Sequence, residues 1–115
     1  MIIEEAEYKK AFMLHKRWAK HWLTNSAHRA HSSTIGMIEP ATKTLRFIES
    51  IDNKDISFKT KFELLDRFLA DQENCEKNNK RMGSDYYFEC LQYNEKVINN
   101  ITMGVPVNIP KMPRS

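Results

Sequence analysis

Glycine is scarce in this chain, with three residues (Gly36, Gly83 and Gly104) among 115, and no two of them are close enough to form a loop that cradles phosphate, so nucleotide hydrolysis is not expected. Cysteine is limited to Cys75 and Cys90. Without C-x-x-C spacing they make neither a disulfide framework nor a zinc site, and both are expected to be reduced thiols that pack as small apolar groups. No apolar run approaches the roughly 20 residues that span a bilayer. Met1 to Glu5 lack the basic and apolar regions of a secretory signal, so the protein is expected in the cytoplasm (that of a host, if a phage encodes it) and away from membranes. No serine stands in a G-x-S-x-G context and none of the four histidines in H-E-x-x-H. With no nucleophile, metal or cofactor motif, the chain is expected to act by binding and not as an enzyme.

Helical periodicity is what the sequence does contain. Tyr8, Ala11, Phe12, His15, Trp18, Ala19 and Trp22 recur at intervals of three and four, which predicts an amphipathic helix from about Ile3 to Leu23. Glu4, Glu5 and Glu7 fall in its first turn, where the helix dipole favours negative charge. Thr24 to Glu39 is polar and rich in helix breakers, predicting a loop or frayed segment, and Pro40 suits the first position of a second helix ending near Ile51. Phe58, Phe62, Leu65 and Leu69, widened by Leu64 and Phe68, form the apolar face of a third helix from Ile56 to about Arg81. Beyond Leu69 its seam turns polar at Gln72, Glu76 and Asn79, as if that end projects into solvent or meets a partner. Ser84 can cap a fourth helix, lined by Tyr87, Cys90, Leu91, Asn94, Val97, Ile98 and Ile101, which Gly104 and Pro106 end. Nothing alternates with period two, so no sheet is expected. The architecture is all-α: a three- or four-helix bundle over residues 1–104 with a Pro-containing tail over 105–115.

Charge is uneven. Residues 1–46 carry eight Lys and Arg against four acids, while residues 47–100 carry eight against eleven. In the N-terminal half Lys9, Lys10, Lys16, Arg17, Lys20, Arg29, Lys43 and Arg46 are interspersed with Trp18, Trp22, His28 and His31, a composition suited to phosphates and stacked bases. The same residues also fit a bundle whose tryptophans are core and whose lysines are solvated.

The run Met13-Leu14-His15-Lys16-Arg17-Trp18 followed by Lys20-His21, the segments Lys61-Phe62-Glu63 and Phe68-Leu69-Ala70-Asp71, and the close Val97-Ile98-Asn99-Asn100-Ile101 with Gly104 and Val107 are colinear over about nine-tenths of the chain with one known pattern. They resemble the UvsY family of T-even phage recombination mediators. The resemblance implies an all-helical homo-oligomer that binds single-stranded DNA and helps load a RecA-like recombinase onto DNA coated by a single-strand-binding protein, without catalysis. It also places the family's basic DNA-contacting pair at Lys43 and Arg46, with Lys16, Arg17, Lys20 and Arg29 as helpers and the last helix as oligomer seam. A different class of function stays open beside it: a small phage-type inhibitor or immunity protein that binds another protein through exposed Tyr86, Tyr93 and the polar end of the third helix.

Overall fold

In the computed structural model of the chain, which describes residues 3–26, 32–80 and 84–107, the apolar periodicities become four helices: α1 (Ile3–Ser26), α2 (Ser32–Asp52), α3 (Phe58–Asn78) and α4 (Ser84–Met103). No strand occurs among the described residues, and the all-α bundle expected from the sequence is the fold. Successive helices run antiparallel. The Phe47 ring in α2 stacks on Phe68 of α3 at 4.4 Å, while Asp52 at the end of α2 meets Lys61 near the start of α3. Tyr8 lies against Phe62 and Glu5 against Phe58, so α1 and α3 are parallel; His15 meets Asn94 and Glu7 meets Val107, so α4 descends along α1.

The interior is filled by the residues that recur at helical spacing. Phe12, Ile48, Leu65, Leu69, Tyr87 and Cys90 form one cluster, and Tyr8, Ala11, Leu14, Phe62, Tyr93 and Val97 another. Each fully buried Leu or Phe contributes roughly 1.5 to 3 kcal/mol relative to exposure. The tail begins inside this core: Val107 is buried in the second cluster, and its N–H donates to Glu7 Oε2 at 2.8 Å.

Element boundaries depart from the sequence pattern where tertiary contacts decide them. α2 starts at Ser32, which puts Pro40 inside the helix instead of at its head. A proline there removes the N–H that would serve the Gly36 carbonyl. The helix continues because Pro40, Ala41, Thr44, Ile48 and Ile51 all face the core, and Thr42 Oγ1 donates to the Ile38 carbonyl at 2.7 Å just beyond. α3 stops at Asn78, short of Arg81, through Asn79 and Lys80: the Asn79 backbone and side-chain N–H groups both bond the Cys75 carbonyl, and Lys80 takes a left-handed φ of 55°. Gly83, the expected stop, lies outside the described residues. Along the polar end of α3 Glu76 is buried and Gln72 half-buried, while Asn79 and its neighbours are exposed to solvent. Of the two cysteines, Cys90 is buried as expected but Cys75 is exposed.

The start of α3 shows how α1 is used. Four N–H groups at a helix start lack helical partners. Here Phe58 and Lys59 donate to the two carboxylate oxygens of Glu5 (2.7 and 3.1 Å), Thr60 donates to Ser57 Oγ, and Lys61 to the Ser57 carbonyl. Glu5 and Glu7, legible as dipole partners of their own helix, are thus spent on α3 and on the tail.

Candidate nucleic-acid interface

Because α1 buries Tyr8, Ala11, Phe12, His15 and Ala19, the residues between them face outward. Lys9, Lys10, Arg17 and Lys20 are exposed and Lys16 is half-buried. The spacing of positions 9, 13, 16, 17 and 20 keeps them on one face, and the eleven steps from Lys9 to Lys20 cover about 16 Å. No acid occurs between Glu7 and Ser26. Two of these cations have partners: Lys10 with Glu7 at 3.0 Å, and Lys16 with Asp52 at 2.9 Å. Arg17 and Lys20 form no ion pair among the described residues. Beside this face lies a shallow depression of about 640 Å³, where Met13 and Phe58 supply apolar surface between Lys9, Lys10 and Arg17, with Glu5 also on its lining. The Lys9 ammonium stands 5.5 Å from the centre of the Phe58 ring.

Lys43 and Arg46 sit elsewhere. Asp52, which Lys16 reaches, lies on the α1 side of α2; nine residues are about two and a half turns, so Lys43 occupies the opposite side. Lys43 is one turn from Phe47, whose ring faces α3, and it pairs with Glu39 at 3.1 Å. Arg46 points outward and is exposed. The structure therefore brings Lys16, Arg17 and Lys20 together on α1 and holds Lys43 and Arg46 apart from them on a second flank. Arg29, with His28 and His31, lies outside the described residues.

Trp18 and Trp22 alternate with the lysines in sequence but not in space. Both rings are half-buried and pack against the core. Tyr86 and Tyr93, read from sequence as exposed contacts, are 2% and 8% exposed, because they belong to the buried stripe of α4. The apolar face of α4 expected to join copies of the chain is occupied inside its own bundle by Tyr87, Cys90, Asn94 and Val97, leaving Phe88, Ile98 and Met103, 50%, 42% and 73% exposed, as its outward apolar residues.

Beneath the α1–α4 contact lies a buried polar chain. His15 Nε2 is 2.5 Å from Asn94 Oδ1, and Asn94 Nδ2 donates to Asp66 Oδ1 at 2.9 Å. A carboxylate only accepts, so Asp66 turns the Asn94 amide, leaves its carbonyl to His15, and fixes the imidazole proton on Nε2. Burial pushes the His15 pKa down to about 4, against smaller upward pulls from the Asn94 hydrogen bond and the Asp66 charge. The rings of Trp18 and Tyr93 meet His15 edge-on at 5.7 and 5.6 Å.

From the sequence, Lys9 and Lys10 fall in the basic half without an assigned contact role, Phe58 belongs to a helix pattern alone, and Met13 enters only through the family resemblance. The signal for the first two was the acid-free run after Glu7. Among the described residues no group of three His, Cys, Asp or Glu is placed to hold a metal ion, and no helix is long and apolar enough to cross a membrane. Comparison with family models, curated proteins and solved structures found no match to this chain.

Proposed function

We propose that this protein is a non-catalytic binder of single-stranded nucleic acid that uses the outer face of α1. The observation that carries the reading is the acid-free row of Lys9, Lys10, Lys16, Arg17 and Lys20 on one helix face, next to an apolar depression floored by Met13 and Phe58. A row of cations about 16 Å long can follow two or three successive phosphates of one strand, and apolar surface between them suits unpaired bases. Lys43 and Arg46 form a second, smaller contact on the neighbouring flank. The narrower role, a homo-oligomeric recombination and repair accessory that helps load a RecA-like recombinase past a single-strand-binding protein, is supported by the family resemblance.

Fluorescence anisotropy of a labelled single strand at several salt concentrations tests this. Three neutralised phosphates give a slope of log K against log salt of about −2. Lys9→Glu with Lys20→Glu should weaken binding and flatten that slope, while Lys43→Glu with Arg46→Glu should do so less. Absence of binding at low salt, or indifference to the α1 pair, refutes the assignment.

A second reading, an inhibitor or immunity protein directed at another protein, draws on one observation: Phe88 stands half exposed on α4 with Ile98 on the same outer flank. A stable complex with one host protein that survives nuclease and is lost in Phe88→Ala selects it.

A further inference from the structure

A cleft of about 460 Å³ opens between α1 and α4 on the side away from α3. Half-buried Trp18 supplies most of its floor, its ring 5.2 Å from that of Tyr93 and edge to face with it; Tyr93 shows only a narrow strip, and Val107 stands at one end. Trp18 Nε1 and Tyr93 Oη are both buried below the surface, so what these rings offer to the cleft is carbon. Along its α4 rim stand Gln92, Lys96 and Asn100, each four residues from the next and therefore in one row, with Glu89 a turn before them.

This combination matches one ligand chemistry. An aromatic floor stacks on the face of a planar heterocycle; a carboxamide carries donor and acceptor together and pairs with the edge of a base; an ammonium between two carboxamides meets a phosphate. Glu89 repels phosphate at its end of the rim and can accept from an exocyclic amine. The cleft also adjoins the basic face of α1. Arg17 is the residue before Trp18, and Lys10 binds Glu7, whose other oxygen takes the N–H of Val107 in the cleft wall.

We propose that this cleft receives one unstacked nucleobase from a strand whose phosphates run along Lys10 and Arg17, an assignment that rests on the nucleic-acid reading of α1. A base held in a duplex is stacked on both sides and cannot enter, so the cleft selects single strands. Lys96 then holds the phosphate next to the inserted base, and Gln92 and Asn100 contact its edge.

The chain has two tryptophans, so Trp22→Phe leaves Trp18 as the only indole. Titrating that variant with oligodeoxyadenylate, while following Trp18 emission and the anisotropy of the labelled strand together, should show quenching that saturates with binding. A strand of equal length made of abasic sites should bind about tenfold more weakly, the loss expected for one stacked base. Gln92→Ala with Asn100→Ala, both on the outer side of α4, should bring the two strands closer in affinity without changing the melting temperature. If Trp22→Phe disturbs folding, unsubstituted protein and a strand containing 2-aminopurine report the same event from the ligand. Equal affinity for the abasic strand, or rising anisotropy with Trp18 emission unmoved, overturns the base cleft and leaves the basic face standing. Failure of both strands to bind at low salt overturns both assignments.

Discussion

Lowering the pH from 7 to 5 should destabilise this protein through one side chain, His15. The imidazole is fully buried, and burial holds its pKa near 4 in the folded state, against about 6.5 in an unfolded chain. Because the folded value is the lower one, the unfolded state binds the proton first as pH falls, and protonation pulls the equilibrium toward unfolding. The contribution is intact above pH 6.5 and is lost between there and pH 4. Its full size is about 3 kcal/mol, of which roughly 2 kcal/mol falls between pH 7 and 5. Glu7 works in a separate window: the Val107 N–H and Lys10 lower its pKa below 4.5, so its contribution is lost only under more acidic conditions. Urea unfolding at pH 7, 6 and 5 therefore reads His15. His15→Gln keeps a donor for Asn94 Oδ1 and does not titrate, so its stability at pH 7 should be lower but nearly level down to pH 5. That comparison separates His15 from His21, His28 and His31, which the variant retains. Wild-type stability that does not change from pH 7 to 5, or a slope that persists in His15→Gln, refutes the assignment.

Three further outcomes test the fold. Glu5→Ala strips the partners of the Phe58 and Lys59 N–H groups, and should cost about 1 to 2 kcal/mol in urea unfolding, with Glu5→Gln in between. Lys80→Gly relieves a left-handed residue and should add about 1 kcal/mol, raising the melting temperature by roughly 4 °C in a thermal scan. Leu69→Ala empties a site with no exposed surface and should cost about 3 kcal/mol by denaturant midpoint.

The bundle was legible where one helix face had to be apolar. Phe62, Leu65 and Leu69 are buried as their spacing predicts, and so are Tyr8, Ala11, Phe12 and His15. The start of α2 was not legible, since Gly36 and Pro40 are local stop signals that the burial of Ala41, Thr44 and Ile48 overrides. Tyr86 and Tyr93 were readable but misread: with Cys90 and Val97 they repeat at four, three and four, the mark of an inward stripe. On the candidate interface, the charge run gave the α1 face, and the position of Trp18 and Trp22 on the His15 stripe already turned them from the lysines. Neither the separation of Lys43 from Lys16 nor the meeting of Gln92, Lys96 and Asn100 with Trp18 could be read from spacing, because each depends on how two helices are packed.

The hydrogen bond from Val107 to Glu7 joins residues 100 positions apart. A chain made from its N-terminus leaves the Glu7 carboxylate waiting until nearly the whole domain has emerged, and closing so long a loop adds to the contact order that slows folding. The final stretch of α4 and the turn after it should therefore lock last and open first. Amide exchange at Val107 and around the Val97–Ile101 turn of α4 should be faster than at Leu65 or Leu69, and the wall of the cleft that Val107 completes would come and go with those same openings.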